Sequence, residues 1–276
     1  MSEPTADELR ELTRRAQDWY AETTYLRATE LVRLDESAWG LLTPEWPRSY
    51  AHNGILLRAD PGPERIVAWG EEVLGGAGLP HRYVMALCAL SPQSREALLA
   101  AGYELQPELT MVRPATAGPL ESPAGVVVEL VDEPTVEPLE ARMWVEEWLP
   151  GAEEESVRQL TGRRVTHARA GEFLSYVVRD PDERHPSSGD LAACLDLLVR
   201  GWAAEVDGVA TLAAHRRKGY GDALLARAVE TAADRGVEQV VLTALVEDWP
   251  QHWYARRGFR ALDPTWVATR TPASLP

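Results

Sequence analysis

The chain has 276 residues, of which 45% are hydrophobic and 26% charged, a composition typical of an ordinary folded protein. Its formal net charge of −15 argues against nucleic acid as a partner, because a phosphate backbone must be met by positive charge. No apolar run approaches the roughly 20 residues that span a bilayer, and the N-terminus lacks a basic and then apolar leader. We therefore expect a cytoplasmic protein with no membrane partner.

The first half predicts alternating helices and strands. Residues 5–34 have the apolar spacing of one or two amphipathic helices, and residues 39–47 are typical of a loop. A strand is predicted at 54–58, a helix at 64–74, a strand at 81–90, a helix at 92–101 and a strand at 109–113. Residues 114–123, rich in Pro, Ala, Gly and Ser, indicate a linker. We place a domain boundary there, between residues 1–116 and 117–276.

The second half contains several consecutive strands. Strands are predicted at 125–131, 172–179, 191–200, 202–212, 237–246 and 265–270, and helices at 134–148, 153–160, 222–235 and 250–257. This order favours an α+β fold around a mixed, mostly antiparallel sheet flanked by helices. The two cysteines lie in apolar runs and the six histidines lack ligand spacing, so we predict no disulfide and no metal site.

An internal repeat relates the two halves. Placing Gly102 on Gly258 aligns them without a gap and puts strand 81–90 on strand 237–246. In this register residues 60–65, Asp-Pro-Gly-Pro-Glu-Arg, fall on residues 216–221. The two prolines remove backbone N–H donors and the two acids add negative charge. We therefore expect the first half to be a degenerate copy that lacks whatever site residues 216–221 form.

The segment 211–225 predicts an anion site. A strand ends there, a glycine-containing loop follows and an amphipathic helix begins, so unpaired N–H groups and the positive end of a helix dipole point at the loop. Arg216, Arg217 and Lys218 are adjacent, and Lys218 is the only lysine in the chain. Together these features suit a pyrophosphate. The alternative is a solvated basic turn in which the glycines only reverse the chain.

Two motifs resemble those of a known family. The pattern Arg216-x-x-Gly219-x-Gly221 after a strand resembles the acyl-CoA pyrophosphate motif of GNAT acetyltransferases, and Tyr254-Ala-Arg-Arg-Gly258-Phe259 resembles their Tyr-x-x-x-Gly-Phe segment. The resemblance covers residues 125–270. It implies a GNAT acyl-CoA N-acyltransferase fold with acetyl-CoA as co-substrate. It also implies a catalytic domain at 117–276 and a partial GNAT-like domain at 1–116. Residues 247–250, Glu-Asp-Trp-Pro, depart from the family because they lack its CoA-contacting Asn.

The resemblance assigns roles to particular residues. It implies that a backbone segment binds the pantetheine and thioester, and that the following loop binds the pyrophosphate. Tyr254 would be the acid that protonates the departing thiolate, with a core tyrosine as the alternative. Glu205 would act as base through water, with a structural glutamate as the alternative. The cofactor-binding residues are Val209, Ala210, Thr211, Arg216, Arg217, Lys218, Gly219, Tyr220, Gly221 and Asp222.

The acceptor is predicted from aromatic and acidic residues on the first helices of the second half. Trp144, Glu147 and Trp148, followed by the acidic run 153–155, suit a small cationic primary amine. The alternative is a solvated acidic helix face over core tryptophans. We expect an N-acetyltransferase, monomeric or homodimeric. A non-catalytic acyl-CoA-binding module, or another acyl-CoA reaction such as O-acylation or decarboxylation, remains open.

Overall fold

The computed structural model describes residues 5–271. It divides into two compact units, Met1–Met111 with Thr243–Pro276 and Val112–Leu242, called here the first and the second unit. The first four residues of the predicted N-terminal domain and the last five of the predicted C-terminal domain lie outside the described residues. No helix in the described part of the chain is long and apolar enough to cross a membrane.

The first unit begins with a long helix and continues as alternating strands and helices. A capping box starts the first helix, because the Thr5 hydroxyl accepts a bond from the Glu8 N–H and the Glu8 carboxylate accepts one from the Thr5 N–H. The elements are α1 Ala6–Arg27, β1 Glu30–Arg33, β2 Ala38–Leu42, β3 Gly54–Leu57, α2 Pro63–Trp69 with a π-helical continuation Gly70–Gly75, β4 Arg82–Ala86, α3 Pro92–Ala100 and β5 Glu104–Pro114. The last three residues of β5 belong to the second unit.

The second unit holds most of the remaining elements. They are β6 Val128–Val131, α4 Glu133–Met143 with a π-helical continuation Trp144–Trp148, α5 Glu154–Gly162, α6 His167–Ala170, β7 Glu172–Arg179, β8 Leu191–Arg200, β9 Ala203–Thr211, α7 Tyr220–Asp234 and β10 Gln239–Leu245. The last three residues of β10 belong to the first unit. The chain then returns to the first unit with α8 Pro250–Ala255 and β11 Arg260–Arg270.

Strand pairing explains why the units differ from the predicted domains. In the first unit the strand order is β1-β2-β3-β4-β11-β5. The last strand of the chain, β11, pairs antiparallel with β4, with Trp266 opposite Ala86. Residues 243–271 therefore form one compact unit with the N-terminal half. The division at 116/117 follows the linker predicted at residues 114–123, and it stays a prediction.

The helical prediction for residues 28–34 and the loop prediction for residues 39–42 were wrong. No second helix forms there, and residues 38–42 are a strand rather than a loop, because β1 and β2 make an antiparallel hairpin. The Asp35 carboxylate accepts a bond from the Ser37 N–H at 2.7 Å and stabilises its turn. Gly40 of β2 packs so closely that an added Cβ would lie 2.7 Å from Val73 Cγ1. Leucine spacing alone cannot distinguish this hairpin from a helix.

The sheet of the second unit is mixed and mostly antiparallel, as predicted. Its order is β10-β9-β8-β7-β6, and the β9–β10 pair is parallel. The first eight residues of β8 are all buried, as expected for a strand covered on both faces. α7 covers one face with Leu224, Leu225 and Val229. The sheet of this unit positions the candidate site.

The internal repeat is confirmed as a repeated order of elements. The first copy runs β3, α2, β4, α3, β5, and the second runs β9, α7, β10, α8, β11. Within each copy the first two strands are parallel neighbours. The register that places Gly102 on Gly258 therefore matches equivalent elements.

Truncating a central residue of β8 should destabilise the protein strongly. Leu197 is fully buried, and Leu197→Ala should lower the free energy of unfolding by about 2–5 kcal/mol because it leaves a cavity. Leu130→Ala is the matched control, since Leu130 on β6 is 59% exposed and should change stability by less than ~0.5 kcal/mol. Urea unfolding measures both, and equal losses would contradict the placement of β8 in the core.

Candidate active site

A β-bulge interrupts β9 just before the segment predicted to bind the thioester. Cys194 of β8 faces Ala210 and Asp196 faces Asp207, so β9 has one residue more than β8 over this stretch. Gly208 lies there with φ 60°, and its N–H donates to the Asp207 carboxylate at 2.8 Å. An added Cβ on Gly208 would lie 3.2 Å from Asp196 Oδ2. The bulge thus brings irregular backbone next to a buried carboxylate.

The loop after β9 has the backbone form that an anion site needs. Gly219 is the N-cap of α7 with φ 82°, and Arg217 also has a positive φ of 65°. An added Cβ on Gly219 would lie 2.5 Å from Pro123 Cγ, so glycine is required on steric grounds as well. Tyr220, Gly221 and Asp222 form the first turn of α7, where N–H groups lack partners within the helix.

Two of the three loop cations already have carboxylate partners. Lys218 Nζ donates to Asp180 Oδ2 at 2.6 Å. The Arg216 guanidinium pairs with Glu147, and its Nε donates to the Thr211 carbonyl at 3.1 Å. Arg217 is exposed and makes no ion pair within residues 5–271. An anion at this loop would therefore meet backbone N–H groups and Arg217 first.

Asp180 organises this loop, and sequence reasoning missed it. Its Oδ2 lies 2.6 Å from Lys218 Nζ, 2.7 Å from the Tyr220 hydroxyl and 2.6 Å from His215 Nδ1. Hydrogen bonds from Lys218 and Tyr220 hold the pKa of Asp180 well below its usual range. Burial, and then the Asp180 carboxylate, raise the pKa of Tyr220 to about 12, so its hydroxyl stays a donor. Asp180 follows β7 in a turn-rich stretch that carried no signal for this role.

A buried ionic cluster lies beside the bulge. The Arg164 guanidinium donates to Asp196 Oδ1 at 2.7 Å and Oδ2 at 2.5 Å, to Glu140 Oε2 at 2.8 Å and to Ser175 Oγ at 2.7 Å. These residues come from β8, α4, β7 and the turn after α5, and all are buried. The ring of Phe173 lies 5.2 Å from the guanidinium carbon. One cation thus faces two carboxylates in a water-poor site.

The cluster contains a carboxyl group that titrates near neutral pH. Burial raises the pKa of Glu140 to about 7, although the neighbouring Arg164 opposes the shift. Burial also raises the pKa of Asp196, against the hydrogen bond from Arg164. A carboxyl with a pKa near 7 is suited to general acid–base work. The available sequence signal was Asp196 itself, the only acid in the apolar strand 191–200.

Comparison with known protein families assigns part of the chain to one of them. Residues 134–259 match the model of the acetyltransferase (GNAT) family. The chain contains a GNAT domain. No curated protein matches this sequence.

Solved structures extend the likeness beyond the GNAT domain. A GCN5-related N-acetyltransferase from Kribbella flavida is 20% identical with a TM-score of 0.60, over 95% of this chain and 96% of that one. A conserved protein of unknown function from Staphylococcus epidermidis is 15% identical with a TM-score of 0.70, over 87% and 93%. A tandem GNAT protein from the clavulanic acid biosynthesis pathway is 14% identical with a TM-score of 0.52, over 94% and 96%. At these identities the likeness establishes a tandem GNAT fold.

The two predicted catalytic residues of the GNAT domain are both buried. Glu205 lies on β9, opposite Leu198 of β8, and is 8% exposed. Tyr254 lies on α8 and is 7% exposed, with its ring edge-on to Phe259 at 5.6 Å between centroids. Tyr254 belongs to the first unit and Glu205 to the second. Their catalytic roles stay predictions.

The predicted acceptor residues lie on the π-helical continuation of α4. The rings of Trp144 and Trp148 meet edge to face at 5.0 Å, and Trp144 Nε1 donates to Glu140 at 3.3 Å. Arg163 lies 5.6 Å from the Trp144 ring. Glu147 contacts the loop that follows β9, since its carboxylate accepts the Ala213 N–H at 2.9 Å. An acceptor role for these residues stays a prediction.

Replacing Glu140 should change how stability depends on pH. Its pKa is raised above the usual 4.5 by burial, so the folded state holds this proton longer than the unfolded state. This contribution is complete below pH 4.5 and is lost as the pH rises through about 7. Relative to Glu140→Gln, the wild type should lose at most about 3 kcal/mol of unfolding free energy between pH 5 and pH 8. Chemical denaturation at both pH values checks this, and parallel behaviour of the two proteins would contradict it.

Proposed function

We propose that the GNAT domain moves an acetyl group from acetyl-CoA to the primary amine of a small, cationic molecule. The observation that carries this proposal is the continuous segment 207–222, in which a strand bulge is followed by a glycine-capped helix N-terminus. In acetyl-CoA the thioester and the pyrophosphate lie at opposite ends of the pantetheine arm. One segment that offers irregular strand backbone and then helix N–H groups suits both ends.

The residues present fit acetyl-CoA mainly through the backbone. Val209, Ala210 and Thr211 would hold the pantetheine and the thioester oxygen by their main-chain groups. The N–H groups from Gly219 onward would hold the pyrophosphate, because they open α7, where N–H groups lack partners within the helix. Arg217 supplies the cation that is not committed to a carboxylate within the described residues. When bound, acetyl-CoA supplies a thioester carbonyl as electrophile.

The chain's own groups can then serve the three steps of acyl transfer. Backbone N–H groups near the bulge stabilise the developing oxyanion. Glu205, acting through water, removes a proton from the ammonium, and Glu140 is a second candidate because its pKa is about 7. The Tyr254 hydroxyl donates a proton to the departing thiolate.

The acceptor class follows from charge and aromatic surface. A chain with a net charge of −15 attracts cations and disfavours anionic acceptors. Trp148 is 39% exposed beside Trp144, which offers an aromatic surface to an ammonium group. We therefore propose a small-molecule amine as the partner, bound by a monomer or homodimer.

Release of the CoA thiol tests the proposed function directly. The protein is incubated with acetyl-CoA and a panel of polyamines, amino sugars and amino acids, with matched alcohols as controls. We expect thiol release with at least one amine and none with the alcohols. Binding of CoA in calorimetry without any thiol release would instead support a non-catalytic acyl-CoA-binding module, and release without an amine would indicate a different acyl-CoA reaction.

Tyr254→Phe should separate chemistry from cofactor binding. The substitution keeps the ring packing against Phe259 and removes only the proton donor. We expect unchanged CoA affinity and a loss of turnover on the order of 100-fold, the size typical of a general acid. Steady-state kinetics over a pH series and calorimetry with CoA measure both quantities. Turnover at the wild-type level at every pH would make Tyr254 a structural residue.

A further inference from the structure

Glu147 holds the cofactor loop with both oxygens of its carboxylate. Oε1 accepts the main-chain N–H of Ala213 at 2.9 Å, and Oε2 pairs with the guanidinium of Arg216. Its side chain is 17% exposed and that of Arg216 is 54% exposed. The contact therefore lies at the surface of the loop, between the helical segment 144–148 and the turn that follows β9.

The donors that Glu147 occupies are those that a phosphate oxygen would use. A main-chain N–H and a guanidinium on one short loop form a mixed anion site of the kind that binds carboxylates and phosphates alike. A donor that serves one anion cannot fully serve another, and two anions in contact repel. A phosphate approaching this part of the loop must therefore displace the Glu147 carboxylate.

The ion pair of Lys218 with Asp180 has a more deeply buried carboxylate than the pair of Arg216 with Glu147. Asp180 is 2% exposed, and the Tyr220 hydroxyl and His215 hold it as well. Removing that carboxylate from its partners would leave a buried charge, which is costly. Glu147 is only partly buried and its partner Arg216 is exposed, so its carboxylate can exchange these partners for water at a lower cost. Of these two carboxylates, Glu147 is the one that a ligand can replace.

We propose that Glu147 belongs to the cofactor site, where it competes with CoA for the Ala213 N–H and the Arg216 guanidinium, rather than to the acceptor site. This inference rests on the proposed use of acetyl-CoA. It replaces the acceptor role predicted for Glu147 and leaves Trp144 and Trp148 unaffected.

The test compares CoA binding by the wild type, Glu147→Gln and Glu146→Gln in calorimetry at low salt. Glu146 is the matched control because it lies on the same helical segment and pairs with Arg142 at 2.8 Å instead of with the loop. We expect Glu147→Gln to bind CoA about three- to fivefold more tightly, the range of an exposed charge pair. Glu146→Gln should match the wild type. The gain should shrink at high salt, where charges are screened.

A second background makes the test independent of folding effects. In Arg216→Ala the competition at the guanidinium is gone and only that at the Ala213 N–H remains, so adding Glu147→Gln should tighten CoA binding less than it does in the wild type. If Glu147 only braced the loop, its removal would weaken CoA binding in both backgrounds. Equal or weaker binding by Glu147→Gln, with a wild type that does bind CoA, overturns this inference alone. Failure of the wild type to bind CoA overturns the proposed function instead.

Discussion

The carboxylate of Asp180 holds together the loop on which the candidate site depends. It accepts from Lys218, the Tyr220 hydroxyl and the His215 ring, which all lie between residues 215 and 220, where the chain passes from β9 into α7. The other ring nitrogen of His215 lies 2.8 Å from Glu183 Oε2. Because Asp180 is nearly inaccessible to water, losing one partner would leave a buried charge poorly compensated. Contacts within the chain therefore hold the loop in this conformation.

Because of such ion pairs, the basic run from Arg216 to Lys218 carries less uncompensated positive charge than the sequence suggests. In a chain with 43 acidic and 28 basic residues, carboxylates outnumber cations and compete for them within the fold. Lys218 serves Asp180 and Arg216 serves Glu147, so the positive field at the helix N-terminus comes largely from the backbone. In the first copy, the carboxylate of Asp60 is held by neutral donors and not by a cation. Burial would raise the pKa of Asp60, yet hydrogen bonds from Ser91, Gly62 and Ser94 lower it. The same bonds link the start of α2 to α3.

The buried cluster of Arg164 shows a second use of paired charge. Asp196 and Glu140 share one guanidinium beside the bulge in β9, and Ser175 adds a hydroxyl. Burial of two acids around a single cation leaves one of them with a pKa of about 7. The same burial that makes the cluster a poor source of stability makes Glu140 chemically useful. A bulge, a glycine and a buried charge network thus meet at the point where the thioester is expected.

The sequence by itself determined the mixed sheet, the repeated order of elements and the loop motif from Arg216 to Gly221, because these depend on local periodicity, glycine placement and spacing along the chain. It did not determine the hairpin at residues 30–42, where leucine spacing fitted a helix and only strand pairing could decide. It did not determine that β11 joins β4, or that Asp180, Glu147 and Glu140 surround the loop and the bulge. Those contacts join residues far apart in the chain, and a charge reveals its partner only when folding brings the two together in low dielectric surroundings.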